Sequence, residues 1–310
     1  MNTNILDNTF DPNTIADDLL EVRRIYAKFF DNIKESDWDK SVKGSPKEWN
    51  LHEAVAHLCA LNGDGLDSLK HTLRGEPYTF VGFEHRYKFN NYNRKGIDNH
   101  LHIPMQELFE EHLGILEEAA RIARELTPDQ AKMTARMPIY NRPISMVEGL
   151  SIINFHAGLV HTAQVADPAG VPPLWKRLSP DVRRRLIARM MRAFSLLYRP
   201  DIGGSLQTTI VFRIDGEGGG EWYVKLSPDA PTAGEGTVEN PGLVIHMRDA
   251  SVFCRMFTGR LNIPLALLFG VIKLSGNPLL FFRLGDLLSI DGKSKAADQD
   301  FAAASLMLNA

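Results

Sequence analysis

The chain is poor in cysteine, with two in 310 residues, Cys59 and Cys254, far apart and each set in an apolar stretch. That spacing excludes a disulfide framework or a cysteine metal cluster, and the pair reads as reduced, buried thiols of a cytosolic protein. A surplus of one charge is also missing. Lys and Arg number 35 against 38 Asp and Glu, a net charge of −3, which argues against bulk nucleic-acid binding. No long hydrophobic run is present. The most apolar stretch, 263–274, contains Pro264 and Lys273 and falls short of the roughly 20 apolar residues of a membrane-spanning helix. The opening MNTNILDNTFDPNT is polar and acidic. It has no basic n-region and no apolar h-region, so no signal peptide is read and the expected location is cytoplasmic. Ser-His-Asp arrangements, paired carboxylates, and Walker or Rossmann glycine patterns are absent. The glycines at 216–220 precede a strand pattern and read as a turn, not a phosphate cradle.

What is present is ordinary globular composition, 44% apolar and 24% charged, in a length that suggests two domains of ~100–200 residues each. Apolar residues recur at helical spacing over 14–33, 51–73, 104–126 and 145–166. Four such helices around one core make a bundle. A long aromatic segment, 78–101, reads as a loop packed across a pocket, with Phe80, Phe83, Tyr87, Phe89 and Tyr92. The Pro/Gly cluster at 167–173 breaks the periodicity and marks a boundary. The expected organisation is a bundle over 1–170, a linker at 171–178, a second domain over 179–292 and a tail at 293–310. After a basic helix at 180–198 the pattern turns to strands. A hairpin is expected from 206–214 and 221–226, then strands at 243–247 and 272–274. The intervening helix is capped by Asp249, a helical turn lies at 265–269, and an apolar helix follows at 278–288. The fold class is therefore multi-domain, α followed by α+β.

Two stretches resemble known families. Trp222-Tyr-Val-Lys-Leu226, Asp249-Ala-Ser-Val-Phe253, Phe257-Thr-Gly259-Arg-Leu-Asn-Ile-Pro264 and Phe269-Gly270-Val-Ile-Lys273-Leu-Ser-Gly276 follow one another in order. Together they resemble the sterol carrier protein type 2 family of lipid-binding domains. Trp49-Asn-Leu-His52-Glu-Ala-Val-Ala-His57-Leu58 and His156-Ala-Gly-Leu-Val-His161-Thr-Ala-Gln164 are similar to the DinB-like metal-binding bundles. Thiol-dependent isomerases of the mycothiol type are similar to this chain in joining such a bundle to a small α/β domain.

The bundle resemblance implies a divalent ion, zinc, nickel or iron, held by one histidine of the second helix and two residues four apart on the fourth. His57 and His161 match, but the third position is Ala157, which cannot ligate. His156 is adjacent. On an α-helix a spacing of five rotates a side chain by ~140°, against ~40° for four, so His156 and His161 share an ion only if the helix carries a π-bulge. A histidine on a core-facing helix is, taken alone, more often hydrogen-bonded core than ligand. His52 is expected to face solvent, and His85, His100, His102 and His112 have no ligand spacing.

The sterol-carrier resemblance implies an apolar tunnel holding a fatty-acyl or sterol-like lipid. Its candidate lining is Phe212, Trp222, Phe257, Leu265, Leu268, Phe269, Leu279, Phe281 and Phe282. Each of these, singly, is as well explained by core packing. The basic helix, with Lys176 and Arg177 before it and Arg183, Arg184, Arg185, Arg189 and Arg192 along it, reads as a solvated face or a set of interdomain salt bridges. Its functional alternative is transient docking on an anionic membrane. Acidic pairs at 17–18 and 110–111 are candidates to face it. Two functions follow as expectations: a lipid-binding or transfer protein, or a metal- and thiol-dependent transferase or isomerase. No catalytic residue is assigned. The apolar tail segment 301–308 is expected to close a groove or the seam between domains.

Overall fold

A computed structural model describes residues 9–42, 49–83, 88–137, 140 and 142–288. The tail segment 301–308, and with it the expected groove closure, lies outside them, as do His85 and Tyr87.

Helix α1 (Pro12–Phe30) starts where Asp11 accepts a hydrogen bond from the Thr14 amide and proline occupies the first turn. Its buried face carries Ile15, Leu19, Val22, Tyr26 and Phe29. Helix α2 (Leu51–Leu73) opens on a reciprocal capping box between Asn50 and Glu53. Helix α3 spans Phe89–His100. Helix α4 (Met105–Glu125) packs against α1 and α2. Helix α5 (Met146–Phe155) opens on a second capping box, Ser145 with Glu148. It runs into a π-helical turn, His156–Val160, and then into helix α6, Thr162–Ala166. The expected four-helix bundle is α1, α2, α4 and the α5–α6 rod. The segment expected to be one aromatic loop is not: α3 occupies its second half, burying Phe89 and Ile97, and Phe80, Phe83 and Phe89 form a small cluster of their own.

Helix α7 (Pro180–Leu197) precedes a five-stranded mixed sheet. Its strands are β1 (Thr208–Ile214), β2 (Gly220–Leu226), β3 (Thr232–Glu235), β4 (Leu243–Met247) and β5 (Ile272–Gly276), in the order β3-β2-β1-β4-β5. The β1–β2 hairpin is antiparallel with Phe212 opposite Trp222, and β1 runs parallel to β4. Between β4 and β5 lie α8 (Ala250–Phe257), capped by Asp249 as its sequence predicts, and α9 (Ile263–Leu268). Helix α10 (Pro278–Leu287) ends the described chain. Among the described residues no helix is long and apolar enough to cross a membrane.

Helix α7 lies between α5 on one side and β2 and β3 on the other, and the buried apolar core is continuous across it. This placement accounts for its arginines. Arg189 and Asp18 are both fully buried and pair at 2.7 Å, and Arg189 also donates to the Thr9 carbonyl and the Asn154 side chain. Arg185 forks onto the same Asp18, Arg184 pairs with Glu235 of β3, Arg192 with Glu148 of α5, and Arg183 donates to the Trp175 and Glu217 carbonyls. Arg183, Arg184, Arg185, Arg189 and Arg192 are thus each bound to groups of the protein itself, whereas Lys176 and Arg177 are exposed. Of the acidic residues expected to face the helix, Asp18 does so, while Asp17 pairs with Arg124 and Glu111 faces His100.

Candidate metal centre

The π-helical turn decides the geometry. The His161 amide bonds the His156 carbonyl at 3.3 Å, an i→i+5 link that inserts one residue into the helix. His156 and His161, which an α-helix would hold apart, thereby come onto one face, with ring centroids 4.5 Å apart. His57 of α2 completes the group. One ligand-capable nitrogen from each of His57, His156 and His161 lies within 4.8 Å of the others. His57 Nε2 and His161 Nε2 are 3.2 Å apart. Two imidazoles on a tetrahedral zinc, each ~2.0–2.1 Å from it, hold their nitrogens ~3.3–3.4 Å apart, so the pair fits a shared ion.

Amide oxygens fix the rings from behind. The Asn62 Oδ1 lies 2.8 Å from His156 Nδ1, and the Gln164 Oε1 accepts from His161 Nδ1. Each places its proton on Nδ1 and leaves Nε2 with a lone pair directed into the cluster, which is the outer-shell pattern of metal-ligating histidines. Burial disfavours the imidazolium form throughout. His57 and His156 lie well below the ordinary histidine range, through burial first and then neighbouring histidines. His161 is pushed down to about 4 by burial, against the opposing effect of Gln164. Neutral imidazoles at pH 7 are the form that binds a metal.

The sequence placed His57, His156 and His161 as candidates and left their spacing conditional on a π-bulge, which the fold contains. It did not single out Asn62, Gln164 or Tyr26, whose hydroxyl donates to the Ala157 carbonyl at 3.0 Å. Gln164, three residues beyond His161 on the same helix, carried a readable spacing signal. Asn62 and Tyr26 carried none. His52 is half-buried with Nε2 3.2 Å from the Ile103 carbonyl, not turned to solvent. His112 is fully buried, edge-on to Tyr26 at 4.6 Å, and neither ring nitrogen has a partner among the described residues.

Beside the histidines lies a cavity of about 290 Å³ whose wall includes His156, His161, Asn62, Phe155, Phe194 and Phe257. It sits between the α5–α6 rod and α7, with α8 supplying Phe257. Of the nine residues expected to line a lipid tunnel, Phe257 alone touches this cavity. Trp222 lines a separate cleft of about 440 Å³ between α7 and β3, and Phe212 and Phe281 are buried in the core. The other five face outward: Leu265 is 48% exposed, Leu268 75%, Phe269 73%, Leu279 69% and Phe282 65%. The reason lies in the short helices α9 and α10, which bury one face each and leave the opposite apolar face uncovered by described residues.

No known family's sequence model matches the chain. Among curated proteins, Hydroxysteroid dehydrogenase-like protein 2 of Homo sapiens is 26% identical over 113 residues, 36% of this chain and 27% of that protein. That of Bos taurus is 26% identical over 110 residues, again 36% of this chain and 26% of the relative. The chain thus spans about a quarter of the length of these relatives. Among solved structures, the mycothiol-dependent maleylpyruvate isomerase superposes with a TM-score of 0.53 over 84% of this chain and 92% of that one, at 11% identity. A mutant of the same enzyme matches over the same shares at 10% identity. At that identity the likeness is one of fold, and it spans helical bundle and sheet together.

Proposed function

We propose that the protein is a metal-dependent enzyme of transferase or isomerase type, with one divalent ion held by His57, His156 and His161. Three imidazoles suit zinc, with nickel and iron as alternatives. Such a set leaves a coordination position open, where a divalent ion supplies Lewis-acid polarisation of a carbonyl or a thiol. The observation that carries the reading is the convergence of three neutral imidazoles with two of their Nδ1–H groups held by amide oxygens, at the edge of an apolar cavity. The chain's own residues orient the ligands, exclude water along the Phe155, Phe194 and Phe257 wall, and confine a substrate next to the histidines. The fold likeness to a mycothiol-dependent isomerase supports thiol dependence as the finer reading. In this reading residues 1–170 supply the centre and 179–292 close the cavity as a second domain. Elemental analysis of the purified full chain, after reconstitution with each metal, tests it. One equivalent of metal, lost in H57A and in H161A, is expected, and no stoichiometric metal in the wild type would end the proposal.

A second reading rests on the outward apolar surface of α9 and α10. In it the sterol-carrier-like region takes up a fatty-acyl or sterol-like lipid. Native mass spectrometry of the freshly purified chain, followed by solvent extraction, should then reveal bound lipid. A ligand-free protein that fails to take up labelled acyl chains would remove this reading.

A further inference from the structure

The candidate centre is built from neutral groups. Its three ligands are imidazoles, which bind a metal uncharged. The partners behind two of them, Asn62 and Gln164, are amides where a carboxylate could stand. No carboxylate acts on the three rings: beyond burial, one another and Gln164, they feel only His112 and Arg260. Arg260 is itself held by Asp167 at 2.7 Å. The cavity continues the pattern. No described residue of its wall carries a formal charge, and Phe155, Phe194, Leu197 and Phe257 make it largely hydrocarbon. A divalent ion on His57, His156 and His161 thus keeps both positive charges in a buried site where no described residue supplies an anion. An uncompensated buried charge is costly, so the compensation has to arrive with a ligand.

We infer that this cavity takes a compact hydrophobic monocarboxylate, its anionic end towards the histidines and its hydrocarbon body along the Phe155, Phe194 and Phe257 wall. The inference names the substrate class of the proposed metal site and rests on that reading, because without the ion no described wall residue answers the anion. A carboxylic acid is already ionised at neutral pH, whereas a thiol or an alcohol must shed a proton. The described wall has no carboxylate to receive that proton, and the imidazole lone pairs are committed to the ion. A second anionic group is disfavoured at the far end of the cavity, where it meets no counter-charge and loses its hydration. At about 290 Å³ the space is at the lower end of the roughly 300–1,000 Å³ of small-molecule pockets, which suits a single ring or a short chain and excludes a long acyl chain or a sterol.

The test uses the full chain, loaded with zinc and stripped of it, with zinc content measured throughout. The probes are 4-methylbenzoate, 4-methylbenzyl alcohol, terephthalate and acetate, and ligand-observed NMR gives their dissociation constants. In the zinc form 4-methylbenzoate should bind about 10–100-fold more tightly than the alcohol, the size of an interaction with a charged partner. Terephthalate carries a second charge into the far wall, and acetate lacks the hydrocarbon body. Each should bind about tenfold or more weakly than 4-methylbenzoate. Without zinc the order of acid and alcohol should reverse. A193F fills the cavity from α7, and should keep zinc while losing 4-methylbenzoate. Where that variant fails to fold, the cobalt-loaded wild type decides, and the ring protons beside the carboxylate should relax faster than the methyl protons. Equal binding of acid and alcohol in the zinc form, terephthalate as tight as 4-methylbenzoate, an acid preference that persists without zinc, full binding by zinc-loaded A193F, or faster relaxation of the methyl group would each overturn the inference. Zinc bound without the acid preference leaves the metal reading standing, whereas a wild type that takes up no zinc ends both.

Discussion

The Tyr26 hydroxyl, on α1, donates a 3.0 Å hydrogen bond to the carbonyl of Ala157, inside the π-helical turn that carries the candidate ligands. A π-turn departs from the i→i+4 pattern, and this contact satisfies a carbonyl within it from outside the helix. Tyr26 is fully buried, and burial raises its hydroxyl well above the ordinary tyrosine range, so it stays a donor at any working pH. Tyr26→Phe should cost about 1–3 kcal/mol, the penalty of a buried carbonyl left unpaired. It should also weaken metal binding, as the turn relaxes. Urea unfolding and a zinc titration on the same variant check both effects, and a stability loss with unchanged zinc affinity would separate the contact from the site.

Gly158 sits in the same turn where α1 and α7 converge. A Cβ there would lie 2.7 Å from Leu186 Cδ1 and 3.2 Å from Val22 Cγ2, both on fully buried residues. Gly158→Ala is therefore expected to destabilise the protein by about 1–3 kcal/mol through overpacking, despite alanine's better helix propensity. A variant as stable as wild type in urea would show that the helices have room to separate.

The Asp18–Arg189 pair joins α1 to α7 with both side chains fully buried. Burial pushes Arg189 down to about 10, against the opposing attraction of Asp18, and it remains charged at neutral pH. Asp18→Asn leaves that charge uncompensated and should cost about 3–5 kcal/mol. The double replacement D18L/R189M should be far milder than D18N, because no buried charge is left behind. If the two variants unfold at the same denaturant concentration, the pair does not act as a unit.

His112 sets a pH dependence. Burial pushes it down to about 3, from an ordinary value of 6.5. Below pH ~6.5 the unfolded chain binds a proton that the folded protein refuses until about pH 3, so stability is complete above 6.5 and falls with acidification. One such group contributes about 1.4 kcal/mol per pH unit inside that window. His57, His156 and His161 shift in the same direction and steepen the loss in metal-free protein. Comparing wild type with His112→Phe by urea unfolding at pH 6 and pH 4.5 isolates the term. The variant should lose less stability between the two, and equal losses would mean that His112 is protonated in the folded state.

The bundle helices were legible because their caps and 3.6-residue periodicity agree: α2 begins and ends where its apolar pattern does. Helix α3 was not, since its sequence FNNYNRKGIDNH is rich in weak helix formers. Packing holds it instead, and Gly96 lets it approach Ala60 of α2 closely enough that a Cβ would sit 3.0 Å away. Strand β3 went unread because its four residues, TAGE, hold no alternating apolar pattern. Its Gly234 lies under the Tyr223 ring, where any Cβ would collide at 2.4 Å. At the centre, the letters His156, Ala157 and His161 stated the problem of a shifted register. Its solution, a π-turn held by Tyr26, depends on a contact 131 residues distant in sequence. Helix α9, IPLALL, is apolar on all sides and does not announce which side is covered: Ala266 is buried while Leu265 and Leu268 face outward.

The convergence of three histidines on one ion is tested most directly by X-ray absorption at the zinc edge of the reconstituted full chain, alongside H156A. Three imidazole nitrogens at ~2.0–2.1 Å, falling to two in H156A, are the expected result. A first shell with two imidazoles in wild type, or one unchanged by H156A, would show that the π-turn does not bring His156 to the metal.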